Sequence, residues 1–368
     1  MAEKGRRVAI KDVAAAAGVS SATVSLALRN DPRIAASTTG KVRKAAEELG
    51  YVPDPHLSQL MGYLQKGKAH GEGSVIALLT DFPEKELRAH AYLSQTVAGI
   101  EERCATLGYR VDVFSVGRGY SLKRIHQILD ARGVFGLIVL PFRERLFSLD
   151  AFDFSRLSAV AVGYGLESPL LHRAASQQTL AAMRVAGTVL ERGYRRVGMV
   201  ISPEIDVRTQ HRYLAGFLGR TAAVVNGESA GSVPPLLVEK LEPDELKEWL
   251  DHYKADALVS SHREVPEGLD ALRIRPGKDI GLAMIDYPGE RPLARMQVPY
   301  RSVGKAAVNL VHGMLAIHER GLPAEPSVLT VPGLWVDGPS LPQRTKLKGS
   351  APSRRPRKRT SKGKPREK

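Results

Sequence analysis

The residues of greatest chemical promise lie in one short run, IKDVAAAAGVSSATVSLAL, at positions 10–28. Val13, Ala14 and Ala17 recur on one helical face, and Gly18 supplies the left-handed conformation that stops a helix. Val19 then plugs the turn. The hydroxyl of Ser20 or Ser21 caps a second helix, whose Val24, Ala27 and Leu28 pack back on the first. Two short helices joined by a tight glycine turn make a helix-turn-helix, and its chemistry is readout of base edges by a helix that enters the major groove. An αα-hairpin in an ordinary core has the same local pattern, so this run alone leaves both readings open.

Covalent and metal chemistry find no matching spacing. VGRGYSL and VGYGLES both lack the third glycine of a dinucleotide fingerprint, and the sequence contains no Walker loop, no H-E-x-x-H and no cysteine pair for zinc. The ten histidines are scattered, none paired with another at ligand spacing. The single cysteine, Cys104, sits in GIEERCATLG at helical spacing and reads as packing; it excludes an intramolecular disulfide framework. The expectation is a protein that is not an enzyme, with no metal and no cofactor.

A chain of 368 residues suggests two or three domains. Its hydrophobic fraction of 43% and charged fraction of 25% are those of a globular protein. No run reaches the roughly 18 apolar residues of a membrane span. MAEKGRRVAIKDV lacks the apolar core of a signal peptide, so the expected location is the cytoplasm. The net charge of +15 is concentrated at the ends: residues 343–368 carry +11 and residues 1–60 carry +3, which leaves +1 for the rest. A uniformly basic coat is excluded, and only the ends are electrostatic candidates for phosphate binding.

The elements that position these residues fall into zones. After the helix-turn-helix, KVRKAAEELGYVPDP (41–55) is a third amphipathic helix, with Val42, Ala45, Ala46 and Leu49 on one face and Gly50 closing it. LSQLMGYL then places Leu57, Leu60, Met61 and Leu64 at helical spacing, too short to stand alone in water. It needs a partner such as its symmetry mate or a DNA groove. QKGKAHGEG (65–73) reads as a linker. From there the pattern alternates. SVIALLTD (74–81), YRVDVFSV (109–116), GLIVLPF (136–142), AVAVGY (159–164), RVGMVIS (196–202), ALVSS (257–261) and IGLAMID (280–286) read as strands, between glycine-terminated helices that include 121–133, 176–192 and one near 208–219. Such alternation means parallel sheets of βαβ units, enough for two in succession. Open sheets of this kind bind ligands at the carboxyl ends of their strands. The terminal Lys/Arg/Pro/Ser/Gly segment has almost nothing to bury and is expected to be disordered.

The run from Val8 to Leu60 resembles the headpiece of the lactose/galactose repressor family of bacterial transcriptional regulators. The matching residues are Asp12, Val13, Ala14, Ala17, Gly18, Val19, Ser20, Thr23, Val24, Ser25, Leu28, Pro32, Thr38, Val42, Ala45, Ala46, Glu48, Leu49, Gly50, Tyr51 and Pro53. The βαβ order of residues 74–338 fits the same family's sensor. The resemblance implies an α/β chain: an all-α headpiece (1–55), a hinge helix and linker (56–73), and a two-lobed, periplasmic-binding-protein-like core of two doubly wound parallel sheets (74–340). The expected first lobe is about 74–162 plus 292–322, the second about 163–291 plus 323–340, followed by a basic tail (341–368). It implies a homodimer reading a pseudo-palindromic double-stranded operator. Ser21, Ala22, Ser25 and Leu26 would face base edges. Ser20, Thr23, Arg29, Arg33 and Thr38 would contact the backbone or the turn, and Leu57 and Leu60 would belong to the hinge, Leu60 as a minor-groove wedge or as helix–helix packing. Two departures matter. Leu26 stands where the family often has a base-reading Arg, so the bidentate contact to guanine is lost and the family's usual operator does not transfer. Leu57 stands where the hinge usually has Ala.

The resemblance also implies a small-molecule effector, a sugar being the expected class, held between the lobes by Thr80, Asp81, Tyr164, Arg208, Arg212, Tyr213, Ser261, Asp286 and Tyr300. Asp286 takes the place of a family ligand-contacting acid, and Tyr300 that of an aromatic lining the cleft. Tyr213 occupies the usual Arg position before Leu214, Ala215, Gly216 and Phe217, with Arg208 and Arg212 near enough to substitute. Tyr164 stands where many members have Asp, and Ser261 where Asn or Asp is common. Asp286 equally admits a reading as a turn- or helix-capping acid, and tyrosines at strand ends are more often rim packing. The implied function is a sequence-specific repressor under allosteric control. The rival is a sugar-binding sensor whose only DNA affinity is non-specific and comes from the basic tail. No leucine heptads support a coiled-coil tetramer.

Overall fold

The computed structural model describes residues 8–28, 34–51, 74–117, 120–222, 233–287 and 289–344. Three helices come first: α1 (Ile10–Ala17), α2 (Ser21–Leu28) and α3 (Ala36–Glu48). Their shared core is Val13, Ala14, Val24, Ala27, Val42, Ala45 and Ala46, with Val19 and Tyr51 packed against it. Gly18 ends α1 at φ 68°, and the Val19 N–H returns to the Ala14 carbonyl at 3.0 Å. That closure needs a left-handed residue, which is why glycine stands there. Ser20 rather than Ser21 caps α2: its Oγ accepts the Thr23 N–H at 3.0 Å.

A first parallel sheet follows. The chain runs through β1 (Val75–Thr80), α4 (Glu84–Ala89), α5 (Ala91–Leu107), β2 (Arg110–Ser115), α6 (Leu122–Ala131), β3 (Gly136–Val139), β4 (Phe147–Ser148), β5 (Ser158–Val162), β6 (Leu166–Ser168) and β7 (His172–Ser176). It then crosses into α7 (Gln178–Glu191), β8 (Val197–Ile201), α8 (Pro203–Arg208), α9 (Arg212–Ala222), β9 (Leu236–Leu237), α10 (Pro243–Tyr253), β10 (Ala257–Ser260), α11 (Val265–Ala271), β11 (Gly281–Ile285) and β12 (Ala294–Gln297). Helix α12 (Tyr300–Ile317) and strand β13 (Val328–Val331) return to the first sheet, and β14 (Leu334–Val336) ends on the second. The strand orders are β13-β7-β5-β3-β1-β2 and β14-β12-β11-β10-β8-β9, parallel throughout except for β12 against β14. Each sheet is sandwiched between two apolar clusters, as both-face burial of a parallel sheet requires.

The apolar runs read from the sequence all form strands, but the lobe boundaries differ from the expected ones. Strand β7 belongs to the first sheet, so that lobe continues to Ser176 rather than 162. Strand β12 belongs to the second sheet and β13 to the first, which moves the return crossings to 298–299 and 332–333. The physical reason is that HRAAS and ARMQ carry an arginine inside a short strand and give no apolar alternation. Arg173 in β7 is 6% exposed and donates to the Gly163 and Leu166 carbonyls. The helix expected near 208–219 is two helices, parted by Gln210 and His211 at φ 50° and 59°. The folded core also passes the expected end at residue 340: Leu341 is fully buried, and Arg344 pairs with Asp256 at 2.8 Å. The expected hinge and linker, and most of the basic tail, lie outside the described residues.

Helices α5 and α12 cross at contact distance. A Cβ on Gly99 would stand 2.0 Å from the Arg301 carbonyl oxygen, and one on Gly304 2.1 Å from that of Thr96. This close crossing fixes the first turn of α12, where Tyr300 sits. Cys104 is buried on α5, and burial pushes its thiol up to about 11, as inert packing requires.

Candidate functional site

Two groups of predicted residues are brought together. In the first, α2 buries Val24 and Ala27 and turns its opposite face outward. Ser21 and Ala22 are exposed, and Thr23, Ser25 and Leu26 are half-buried. Ala22 and Leu26 lie one turn apart as an apolar strip, with the hydroxyls of Ser21 and Ser25 beside it. Such a strip can touch a thymine methyl while the hydroxyls meet base edges or phosphates. Ser20 is committed to capping and shares its hydroxyl with that of Thr23 at 2.9 Å. Thr38 lies half-buried in the first turn of α3, its N–H on the Ala35 carbonyl at 2.9 Å. Arg29, Arg33, Leu57 and Leu60 lie outside the described residues.

The second group lies where the lobes meet, at the carboxyl ends of both sheets. Asp286 follows β11 at φ 58° and accepts a hydrogen bond from the Tyr300 hydroxyl, which comes from the other lobe. Burial pushes the Asp286 carboxyl up from its ordinary value, against the opposing pull of that bond and of the Arg263 charge. Burial also raises the Tyr300 and Tyr213 phenols, with the Asp286 charge adding to both. Tyr213 is 4% exposed, with Ser176 as its hydrogen-bond partner. Tyr92 packs its ring 5.7 Å from that of Tyr300. Carboxylate and phenols together form an apolar-walled polar spot of the kind that orients a small ligand.

Arginines bridge the same seam. Arg208 on α8 donates to the Phe142 carbonyl at 2.8 Å and the Arg143 carbonyl at 3.1 Å, both in the other lobe, while pairing with Glu204 at 3.3 Å. Gln210 donates to the Tyr164 carbonyl at 3.2 Å, and the Arg212 guanidinium lies 3.9 Å from the Tyr164 ring centre. Asp81 holds the Arg143 N–H at 2.9 Å, and burial raises its carboxyl despite that bond. Thr80 is fully buried and serves the strand end, donating to the Pro141 carbonyl and accepting from the Phe82 N–H, both at 3.2 Å. Ser261 is 3% exposed, and its Oγ has no partner.

All nine predicted seam residues thus lie at the strand ends or the lobe contacts. Sequence reasoning missed Tyr92, Arg173 and Gln210, and with them Gln178 and Asp206, whose Oε1 and Oδ1 are buried without a partner among the described residues. An arginine inside HRAAS was the one available signal, since a strand buries a guanidinium only where carbonyls or an anion meet it. A cavity of about 580 Å³ opens elsewhere, along edge strand β2, between Arg88, Val113, Phe114 and Tyr120. No predicted residue lines it. Among the described residues, no three His, Cys, Asp or Glu side chains are grouped to hold a metal ion, and no helix is long and apolar enough to cross a membrane.

Residues 9–54 match the family model described as bacterial regulatory proteins, lacI family. Over 214 residues, 57% of this chain, the sequence is 27% identical to the HTH-type transcriptional repressor CytR of Escherichia coli K12. The headpiece of this chain is thus similar to that of the lacI family. The aligned part spans 58% of CytR. Two solved structures of similar fold are the transcriptional regulator CelR–cellobiose complex and the lac repressor dimer bound to operator and the anti-inducer ONPF. The first has a TM-score of 0.54 at 18% identity, over 91% of this chain and 100% of that one. The second has 0.53 at 19%, over 92% and 100%. The two-lobed core of this chain therefore has the periplasmic-binding-protein-like fold of those structures.

Proposed function

We propose that the protein is a sequence-specific DNA-binding transcriptional regulator, a repressor, whose operator affinity is set by a small molecule held between the two lobes. The observation that carries this reading is the lacI-family headpiece. Its α2 presents Ser21, Ala22, Ser25 and Leu26 to solvent, on a core of its own. The protein acts as a homodimer, because one headpiece buries too little surface for tight specific binding. A sugar is the effector class, supported by the Asp286–Tyr300–Tyr213 spot and by the cellobiose of the similar CelR complex. Ligand in the seam replaces contacts such as Gln210 to Tyr164 and so changes the lobe angle. Coupling of this kind is worth about 1–3 kcal/mol.

The test is selection from a random duplex library with the full chain, the Leu60→Ala variant and a 1–342 truncation. The expected result is an enriched pseudo-palindrome that survives truncation and weakens in Leu60→Ala. Absence of any motif, or affinity that vanishes with the tail, would leave the rival: a small-molecule sensor with a basic arm.

A further inference from the structure

Four side-chain atoms among the described residues are buried with no hydrogen-bond partner: Gln178 Oε1, Asp206 Oδ1, Arg212 Nε and Ser261 Oγ. All four belong to the second lobe and to one end of it. Asp206 and Arg212 follow β8, and Ser261 follows β10. Gln178 opens α7, which runs back along the sheet to reach the start of β8, so its first turn lies at the strands' carboxyl ends. A buried polar group left unpaired is costly. Four of them at the edge that faces the other lobe call for an explanation other than packing.

The charges at this edge say what kind of ligand. Arg212 and Arg173, one from each lobe, approach the same Tyr164 ring, at 3.9 and 5.6 Å from its centre. Arg173 donates to two backbone carbonyls and Arg212 to Gln210 Oε1 at 3.1 Å. Among the described residues neither has a carboxylate partner, because the acids of the seam are engaged elsewhere. Asp81 holds the Arg143 N–H, Asp206 holds His211 at 2.7 Å, Glu204 holds Arg208, and Asp286 holds Tyr300. Burial lowers the Arg173 pKa, and the Arg212 charge adds to that effect. Two guanidiniums on one tyrosine repel each other until an anion arrives, and Arg is the side chain suited to phosphate and carboxylate.

We propose that the effector is a polyhydroxylated anion, its phosphate or carboxylate group seated on Arg212 and Arg173 beside Tyr164, and its hydroxyls paired with Gln178, Asp206 and Ser261. This deepens, and rests on, the reading of the seam as an effector site. A neutral sugar satisfies the hydroxyl partners but leaves the two guanidiniums uncompensated. A ligand clamped between Arg173 and Arg212 also ties one lobe to the other, which gives it leverage on the lobe angle.

The thermal midpoint of the full chain is followed in 1–50 mM inorganic phosphate against chloride of matched ionic strength. The proteins are wild type, Arg212→Gln, Arg212→Lys and the surface control Arg275→Gln. Wild type and Arg275→Gln should show a saturable rise with millimolar half-saturation. Arg212→Gln should need at least tenfold more phosphate, and Arg212→Lys, which keeps the charge, an intermediate amount. Phosphate held by the basic ends would raise all four alike and overturn the proposal, as would no response in wild type. Circular dichroism identical to wild type excludes misfolding of the Arg212 variants. Glucose 6-phosphate and gluconate then separate the two anion sources, the tighter probe naming the group. A response to glucose that Asp286→Asn removes, with none to phosphate, would overturn the anionic class and leave the effector site standing.

Discussion

The headpiece and the seam solve opposite problems. The headpiece keeps its polar groups outward or satisfied: Ser20 caps α2, Asp12 holds the Ala9 N–H at 2.8 Å, and a few small apolar residues form its interior. Among its described residues, no buried side-chain polar atom lacks a partner. The seam collects the four unpaired polar atoms of the described chain, together with Gln210, His211 and Asp286 in the left-handed region. Such backbone costs about 1–3 kcal/mol per residue. A surface that meets a rigid duplex can be complete before it binds. The seam, proposed to change the lobe angle on binding, is left incomplete, so that a ligand has something to supply.

The largest test of that contrast is Val24→Asp. It buries an unpaired carboxylate in the headpiece, an effect of about 3–5 kcal/mol. A unit of that size holds only ~0.05–0.15 kcal/mol per residue. Calorimetry should lose the headpiece transition and retain that of the two-lobed core; joint loss of both would show that the two units fold as one. Ser20→Ala comes next, at about 1 kcal/mol for a lost N-cap. It should lower the headpiece midpoint and weaken DNA binding at 37 °C more than at 15 °C. An equal loss at both temperatures would mean that Ser20 touches DNA rather than capping α2.

The smallest effect concerns Asp286→Asn. Burial raises this carboxyl in the folded state, so its folded form binds a proton more tightly than its unfolded form. The stability that the acid contributes is therefore present below the ordinary carboxylate pKa of 3.8 and lost as pH rises through the higher folded value. Asparagine can still accept from Tyr300 and carries no charge to bury. The core midpoint of Asp286→Asn, relative to wild type, should rise from pH 4 toward neutrality. A difference that does not change with pH would mean that the folded carboxyl titrates normally.

Legibility in the sequence followed the range of the contacts. Gly18, Val19 and the Ser20 cap on Thr23 are read within six residues, and the helix-turn-helix they imply is the one that forms. The strand cores were legible because Val75–Thr80 or Gly281–Ile285 are apolar on both faces. Strands β7 and β12 were hidden by Arg173 and Arg295, and the crossings between lobes were misplaced with them. The seam was legible only through family resemblance. Its charge balance was not, because Arg173, Tyr164 and Arg212 meet across the lobes, and nothing in HRAAS or QHRYLAGF shows which ring they share.

The central claim is that the outward face of α2 reads base sequence. The most direct measurement is a fluorescence-anisotropy titration of the selected duplex and a scrambled duplex of equal length, at 150 mM salt, with wild type and Leu26→Glu. The account predicts that wild type prefers the selected duplex by at least ~10³. In Leu26→Glu most of that preference should be lost, while the core transition stays unchanged. Equal affinity of wild type for the two duplexes would contradict it.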